Sequence, residues 1–152
     1  MSDETNESEH ARFSEATPTD ESDVQCTVVG IGASAGGLPA LDRFFAAMPP
    51  ESGMAFVVIM HLAPERESYL ASLLQRYTAM TVIQVNETTP IEPNRVYVIP
   101  PNCNLANTGA ELQLIPLEAE RQARAPIDFF FRTLAEQRGD GVAVILSGSG
   151  TD

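Results

Sequence analysis

Residues 28–37, VVGIGASAGG, decide the fold of this chain. A short β-branched run enters a glycine-rich segment, and apolar residues at helical spacing follow from Leu38. The pattern predicts a strand, a tight turn and a helix. Residues 32–36 (GASAG) match G-x-S-x-G, which places an exposed serine hydroxyl at a strand-to-helix corner. We expect the glycines to let the backbone turn and the helix N-terminus to favour negative charge near Ser34, a candidate nucleophile.

Strand and helix patterns alternate along the rest of the chain. Buried strands are predicted at residues 24–31 and 54–60, further strands at 81–85, 95–99 and 142–146, and helices from near Leu38, Tyr69 and Pro126. Residues 87–94, with two prolines, are predicted to be a loop, residues 102–117 a small antiparallel hairpin, and Gly139 a helix C-cap. The predicted class is α/β, with a doubly wound, mostly parallel sheet and helices on both of its faces.

Composition bounds the domain organisation. The 152 residues carry a net charge of −12. Residues 1–23 contain eight acidic residues and one arginine, a net charge of −7, and are predicted to form a disordered acidic tail. Residues 24–152 are predicted to form one domain, whose length and apolar content allow a core.

The same composition argues against several classes of function. All nine basic residues are arginines and form no basic stripe, which disfavours nucleic acid as a partner. The absence of lysine excludes a P-loop. Cys26 and Cys103 lack metal-type spacing and are predicted to be reduced structural thiols. With no signal peptide and no apolar run of about 18 residues, we expect a cytoplasmic chain that does not insert into a membrane.

Three chemical groups follow three predicted strand ends. Ser34, His61 and Asp152 each lie just past a strand, and the carboxyl ends of parallel strands line the ligand crevice of such sheets. A nucleophilic serine needs a base, and the base needs a group that holds its tautomer. The other histidine, His10, lies in the acidic tail, so His61 is the candidate base and Asp152 its partner.

A dinucleotide-binding loop is the competing interpretation. Residues 30–35 also satisfy G-x-G-x-x-G/A between a strand and a helix. That reading needs an acidic residue at the end of the next strand to bind ribose. The next strand ends in Met60-His61 instead, which favours the nucleophile and leaves nucleotide binding as a weaker alternative.

Residues 28–152 resemble the catalytic domain of chemotaxis protein-glutamate methylesterases, the CheB type. GIGASAGG resembles the family's nucleophile turn, His61 with the following LAP its histidine motif, and LSGSGTD at 146–152 its C-terminal glycine turn with aspartate. RVYVIPPN at 95–102 and PIDFFFRTLAE at 126–136 are supporting matches.

The resemblance implies a serine hydrolase with Ser34 as nucleophile, His61 as general base and Asp152 as orienting carboxylate. The backbone N–H of Ser149 would donate to the oxyanion, and no metal or organic cofactor would be needed. The implied substrates are glutamate γ-methyl esters on the cytoplasmic helices of methyl-accepting chemoreceptors, with methanol as product. Deamidation of receptor glutamines is a second implied activity.

The chain departs from the family pattern in several places. Ala35 stands where members usually carry threonine, and Met60 where they carry glutamine. No receiver domain precedes the motifs, as in hybrids that join a methylesterase domain to a C-terminal methyltransferase domain. We therefore expect the N-terminal part of such a hybrid, with a catalytic domain that is incomplete after Asp152. The alternative function is a catalytically silent module that binds receptors or partner domains.

Overall fold

The computed structural model describes residues 26–61, 69–116 and 125–147. The predicted tail at 1–23, together with Ser149 and Asp152, lies outside the described residues. The described elements in chain order are β1 (Val28–Ser34), a 3-10 turn (Ala35–Gly37), α1 (Leu38–Ala47), β2 (Ala55–His61), α2 (Leu70–Gln75), β3 (Thr81–Gln84), β4 (Thr89–Pro90), β5 (Arg95–Val98), β6 (Cys103–Thr108), β7 (Glu111–Pro116), α3 (Pro126–Gln137) and β8 (Val142–Leu146).

A five-stranded parallel sheet forms the centre, in the order β3-β5-β2-β1-β8. From β1 the chain builds β2 on one side, and it later returns to place β8 on the other side. The strand order therefore reverses at β1. In open α/β sheets, the ligand crevice lies at the carboxyl ends of the strands where this reversal occurs.

Both faces of the sheet are covered at its central strands. On one face, alternate residues of β1 and β2 pack with Leu41 and Phe45 of α1 and with Leu70 and Leu74 of α2. On the other face, the sheet packs against α3 and against a small antiparallel sheet of order β4-β7-β6. Burial on both faces explains why the central strands read as continuous apolar runs. The predicted fold class is confirmed.

Two of the four glycines of the opening stretch, Gly30 and Gly32, lie inside a strand. β1 was expected to end at Ile31, but it continues to Ser34 because its backbone pairs with β2 on one side and β8 on the other. Among the described glycines, those with positive φ are Gly53 and Gly109. The expectation that the glycines of residues 28–37 let the backbone turn was therefore wrong for Gly30 and Gly32, whereas Gly36 and Gly37 do lie in the 3-10 turn.

Close packing of α3 on β1 explains two of these glycines. A Cβ on Gly32 would lie 2.6 Å from Ile127 Cγ2, and one on Gly30 would lie 3.0 Å from Phe131 Cε1. Real side chains do not occupy such positions without displacing a neighbour, because protein cores are close-packed. Gly30 and Gly32 thus form a shallow groove that receives α3.

The predicted hairpin is confirmed, but the predicted loop before it contains a strand. β6 and β7 pair antiparallel, with Gly109 at φ +62° in the turn. Thr89 and Pro90 form β4 and pair with the outer edge of β7. Proline lacks an N–H and is tolerated on such an edge strand. The Tyr97 hydroxyl holds this edge by donating to the Pro90 carbonyl at 3.1 Å.

The predicted cap of α3 was wrong. The helix ends at Gln137, and Arg138 follows in an extended conformation in place of a left-handed Gly139. The Arg138 guanidinium ties this helix end to the hairpin, donating to Asn107 Oδ1 at 3.2 Å and to the Gly109 carbonyl at 3.4 Å. Long-range side-chain bonds therefore replace the local cap that the sequence suggested.

A half-buried carboxylate on α1 makes stability depend on pH. Asp42 accepts a side-chain hydrogen bond from Tyr77, while its Oδ1 is buried without a partner in the described structure. Burial raises the pKa of the Asp42 carboxyl, and the bond from Tyr77 offsets part of that rise. The folded chain therefore holds this proton to a higher pH than the unfolded chain, whose aspartate pKa is about 3.9.

We predict that the stability of Asp42→Asn depends less on pH than that of wild type, because the variant has no carboxyl at this position. Wild type should lose stability as pH rises from about 4 through the raised pKa, because the folded state binds more protons in that window. The free energy of unfolding, measured in urea at several pH values, should fall more steeply in wild type than in the variant. Asp140→Asn, at an exposed acid, is the control; equal slopes for wild type and Asp42→Asn would contradict the prediction.

Candidate active site

Ser34 is the last residue of β1. Its backbone is extended, with φ −88° and ψ 175°, and it precedes the 3-10 turn that leads into α1. The Ser34 side chain makes no capping bond to that turn, and the residue is half-buried. Ser34 therefore lies at the expected strand-to-helix corner, where the strand ends in ordinary extended geometry and a 3-10 turn makes the change of direction.

His61 is the last residue of β2 and lies opposite Ser34 in the parallel ladder. Neighbouring strands of a sheet are about 4.8 Å apart, so the two backbones are side by side at one sheet edge. Both residues are at the carboxyl ends of strands, at the point where the strand order reverses. The structure thus brings together two of the residues that the sequence singled out.

The end of β8 lies on the other side of Ser34. Ala33 pairs with Leu146, and a Cβ on Gly37 would lie 2.8 Å from the Leu146 carbonyl oxygen. The bare backbone of Gly37 thus lets the 3-10 turn pack directly on the end of β8. Residues 148–152, with Ser149 and Asp152, follow β8 after Ser147 in the chain and lie outside the described residues.

α3 covers the face of β1 to which Ser34 belongs. Residues alternate between the faces of a strand, and Val28, Gly30 and Gly32 all belong to the face that packs against α3. Gly30 contacts the middle of α3, whereas Gly32 contacts Ile127 in its first turn. The helix therefore runs antiparallel to β1, with its N-terminus and positive dipole end toward Ser34.

Sequence reasoning missed this helix as part of the site. The motifs predicted a helix from near Pro126 without a role at the site, and the helix N-terminus expected near Ser34 was that of the helix that follows it. The available signal was a pair of glycines two residues apart within a β-branched strand, because such a pair indicates close approach of another element.

The two departures from the family pattern fall in different environments. Met60 is 1% exposed and packs in the apolar core beneath α1 and α2. A methionine is suited to that core, whereas an amide there would need a hydrogen-bond partner. Ala35 is exposed on the 3-10 turn next to Ser34. The structure thus accounts for an apolar residue at 60 and gives no reason for alanine at 35.

The geometry argues against the dinucleotide interpretation. In that motif the second glycine lets the backbone approach the pyrophosphate closely. Here the open side of Gly32 is covered by Ile127, and the neighbouring strand ends in histidine, where an acidic residue is required.

The described residues also contain no candidate metal site and no activated cysteine. Within 26–61, 69–116 and 125–147, no group of three or more His, Cys, Asp or Glu side chains could hold a metal ion. Cys26 and Cys103 are free cysteines, and burial raises the pKa of both thiols. A raised pKa keeps a thiol protonated and unreactive.

A family model described as CheB methylesterase matches residues 29–152. The chain belongs to the CheB methylesterase family. This confirms the family that the motifs suggested, and the matched range includes Ser34, His61 and Asp152.

Individual relatives of this CheB methylesterase domain agree. It is 33% identical over 137 residues to protein-glutamate methylesterase/protein-glutamine glutaminase 3 of Burkholderia orbicola, covering 84% of this chain and 38% of the relative. An uncharacterized 104.1 kDa protein of Rhodobacter capsulatus is 39% identical over 84 residues, which cover 55% of this chain and 9% of the relative. The chain thus spans less than half the length of these curated relatives.

A solved structure shares the fold. The crystal structure of the Thermotoga maritima CheB methylesterase catalytic domain aligns with a TM-score of 0.71 at 28% identity, covering 85% of this chain and 71% of that one. Across the part of the CheB methylesterase domain that the structure describes, no helix is long and apolar enough to span a membrane.

Proposed function

We propose that this CheB methylesterase domain is a serine hydrolase that cleaves glutamate γ-methyl esters on methyl-accepting chemotaxis receptors and releases methanol. The observation that carries the proposal is the register of the two central strands, in which Ser34 lies opposite His61 at the carboxyl edge of the sheet. A serine nucleophile requires a base within hydrogen-bond reach, and the pairing of these two residues on adjacent strands supports such a contact.

The proposed mechanism is acyl transfer in two steps. Ser34 Oγ attacks the ester carbonyl carbon while His61 accepts the hydroxyl proton, and His61 then returns the proton to the departing methoxide as methanol leaves. Water, deprotonated by His61, hydrolyses the acyl-enzyme and yields the free glutamate side chain. The positive end of α3 would favour the negative charge that develops near Ser34.

Asp152 and Ser149 complete the proposed mechanism. Asp152 would hold the imidazole in its reactive tautomer and stabilise the imidazolium, while the Ser149 backbone N–H would donate to the oxyanion. Support comes from the end of β8, which the Gly37 contact keeps beside the end of β1. A segment that starts there begins next to Ser34. The reaction needs no metal or organic cofactor.

The relatives suggest the substrates and partners. The Burkholderia orbicola protein is named as both a methylesterase and a glutaminase. We propose deamidation of receptor glutamines as a second reaction, because Ser34 can form the analogous tetrahedral intermediate on an amide, from which ammonia leaves when His61 returns the proton to its nitrogen. The proposed partners are the cytoplasmic helices of methylated receptors, and the proposed compartment is the cytoplasm. A C-terminal methyltransferase domain is a further proposed partner, and the short match within a 104.1 kDa relative is compatible with a multidomain setting.

A fluorophosphonate probe tests the proposal directly. Wild type should be labelled, with the adduct on the peptide that contains Ser34; Ser34→Ala should lose the label, and His61→Ala should react more slowly. Ser72→Ala, which changes an exposed serine of α2, is the matched control and should label like wild type. A folded wild-type chain that takes no label at Ser34 would favour the catalytically silent binding module.

A further inference from the structure

The N-terminal turn of α3 packs closely on β1 through Ile127 and Gly32. A Cβ built on Gly32 would approach three atoms of Ile127, with Cγ2 at 2.6 Å, Cδ1 at 3.2 Å and Cγ1 at 3.3 Å. The branched end of the Ile127 side chain therefore rests on bare backbone at Gly32. Ala125, the N-cap residue of α3, makes no side-chain capping bond.

Gly32 itself cannot move to accommodate a change. It pairs with Ile59 of β2 on one side and with Ile145 of β8 on the other. Any misfit at this contact must therefore be taken up by Ile127 and the start of α3. Closely packed interiors transmit such displacements and do not absorb them.

The opposite end of α3 is fixed by hydrogen bonds. Besides its bonds to the hairpin, Arg138 donates to the Cys26 carbonyl at 3.4 Å. The Gly109 N–H donates to Gln137 Oε1 at 3.2 Å, and the Asn107 N–H donates to Thr133 Oγ1 at 2.9 Å. With its C-terminal half bound in this way, a displaced helix tilts mainly at its N-terminal turn.

The contact between Ile127 and Gly32 lies close to the proposed nucleophile, Ser34. Gly32 and Ser34 belong to the same face of β1, about 6.6 Å apart along the strand. We propose that Ile127 is a positioning residue. Its contact with Gly32 fixes the first turn of α3 beside Ser34 and so sets the geometry in which Ser34 and His61 react. This inference rests on the proposed function, since it assigns a role in that same reaction.

The test compares two variants, each of which adds one methyl group that presses on α3 at a different place. Gly32→Ala places a Cβ 2.6 Å from Ile127, and Gly141→Ala places one 2.7 Å from Leu134 Cγ near the far end of α3. Both substitutions overpack the same helix, so both should lower the free energy of unfolding. We expect Gly32→Ala to lower kcat for methanol release on the order of 10²-fold with little change in KM, because small misplacements near the chemistry are costly. Gly141→Ala should keep kcat near the wild-type value.

A compensating variant separates positioning from general damage. Ile127→Ala removes Cγ1, Cγ2 and Cδ1, which are the three atoms that a Cβ on Gly32 would meet. Ile127→Ala alone should lower kcat, because it removes the contact between the strand and the helix. In the double variant Gly32→Ala/Ile127→Ala the new Cβ takes the place of the removed branch, so most of the kcat lost in either single variant should return, a coupling that neighbouring sites show and independent sites do not. The rate of fluorophosphonate labelling at Ser34 should follow the same order.

The outcomes distinguish the two proposals. If wild type is active, Ser34→Ala is inactive, and Gly32→Ala loses no more kcat than Gly141→Ala, the positioning role of Ile127 is wrong and the proposed function stands. The same conclusion follows if the double variant shows no recovery. If wild type neither releases methanol nor takes the label, the proposed function fails first and the positioning role fails with it.

Discussion

Ser34→Ala is expected to lower the rate of methanol release on the order of 10⁴- to 10⁶-fold, the range found when a triad nucleophile is removed. Alanine keeps the extended backbone of this position and deletes the attacking oxygen. Because the 3-10 turn does not depend on a capping bond from Ser34, the fold should be unchanged. Methanol release from methylated receptor membranes measures the loss, and unfolding in urea serves as the structural control.

The combination with His61→Ala sharpens this expectation. A nucleophile and its base act as a unit, so the double variant should be little slower than either single variant. Additive losses, or a Ser34→Ala variant that keeps a large share of the wild-type rate, would rule out the proposed pair. Binding to receptor membranes should persist in all three variants, because none of the changes alters the exposed surface beyond the reacting groups.

Asp152→Asn is expected to lower kcat on the order of 10⁴-fold while leaving the fold intact. An amide has nearly the shape of the carboxylate, but it stabilises the wrong imidazole tautomer and leaves the imidazolium uncompensated. Methanol release and fluorophosphonate labelling should therefore both slow, with the adduct still on Ser34. Asp152→Asn should thus be labelled slowly at Ser34, whereas Ser34→Ala should not be labelled at this position at all.

Asp140→Asn is the matched control for this change. Asp140 is an exposed acid between α3 and β8, at the opposite end of β8 from the proposed site. Its conversion to the amide should leave methanol release unchanged. Full activity of Asp152→Asn would remove this aspartate from the mechanism and require another carboxylate to orient His61.

The sequence predicts the strands of the sheet better than it predicts where the glycines of residues 28–37 lie. The continuous apolar run of β2 predicted a buried parallel strand, because two-sided burial leaves no polar alternation. β8 has a similar apolar run, but it lies at the edge of the described sheet with Val142 and Ile145 exposed. At residues 30–34 the local preference of glycine opposed a strand, and pairing with neighbours on both sides prevailed. Such pairing is made by residues far apart in the chain, so no local window reports it.

The candidate site residues could be placed from the sequence only as well as the ends of the strands could be predicted. Ser34 and His61 end neighbouring strands, and the alternation of strands and helices was enough to place them at one edge. The contribution of α3 was not accessible in the same way. Nothing in residues 126–137 states that Ile127 rests on Gly32, because that contact depends on the tilt of the helix across the sheet. The β4 pairing of Thr89 and Pro90 was missed for a similar reason, since proline argues against a strand unless the edge position is known.

The relaxed backbone at Ser34 bears on how this activity can arise and disappear. A nucleophile held at positive φ restricts which residues can replace it, whereas φ −88° suits every L-amino acid. Loss of the hydroxyl here would release no conformational strain, so a chain that lost catalysis would be no more stable for it. A single substitution at this position would therefore remove or restore the proposed nucleophile without backbone strain.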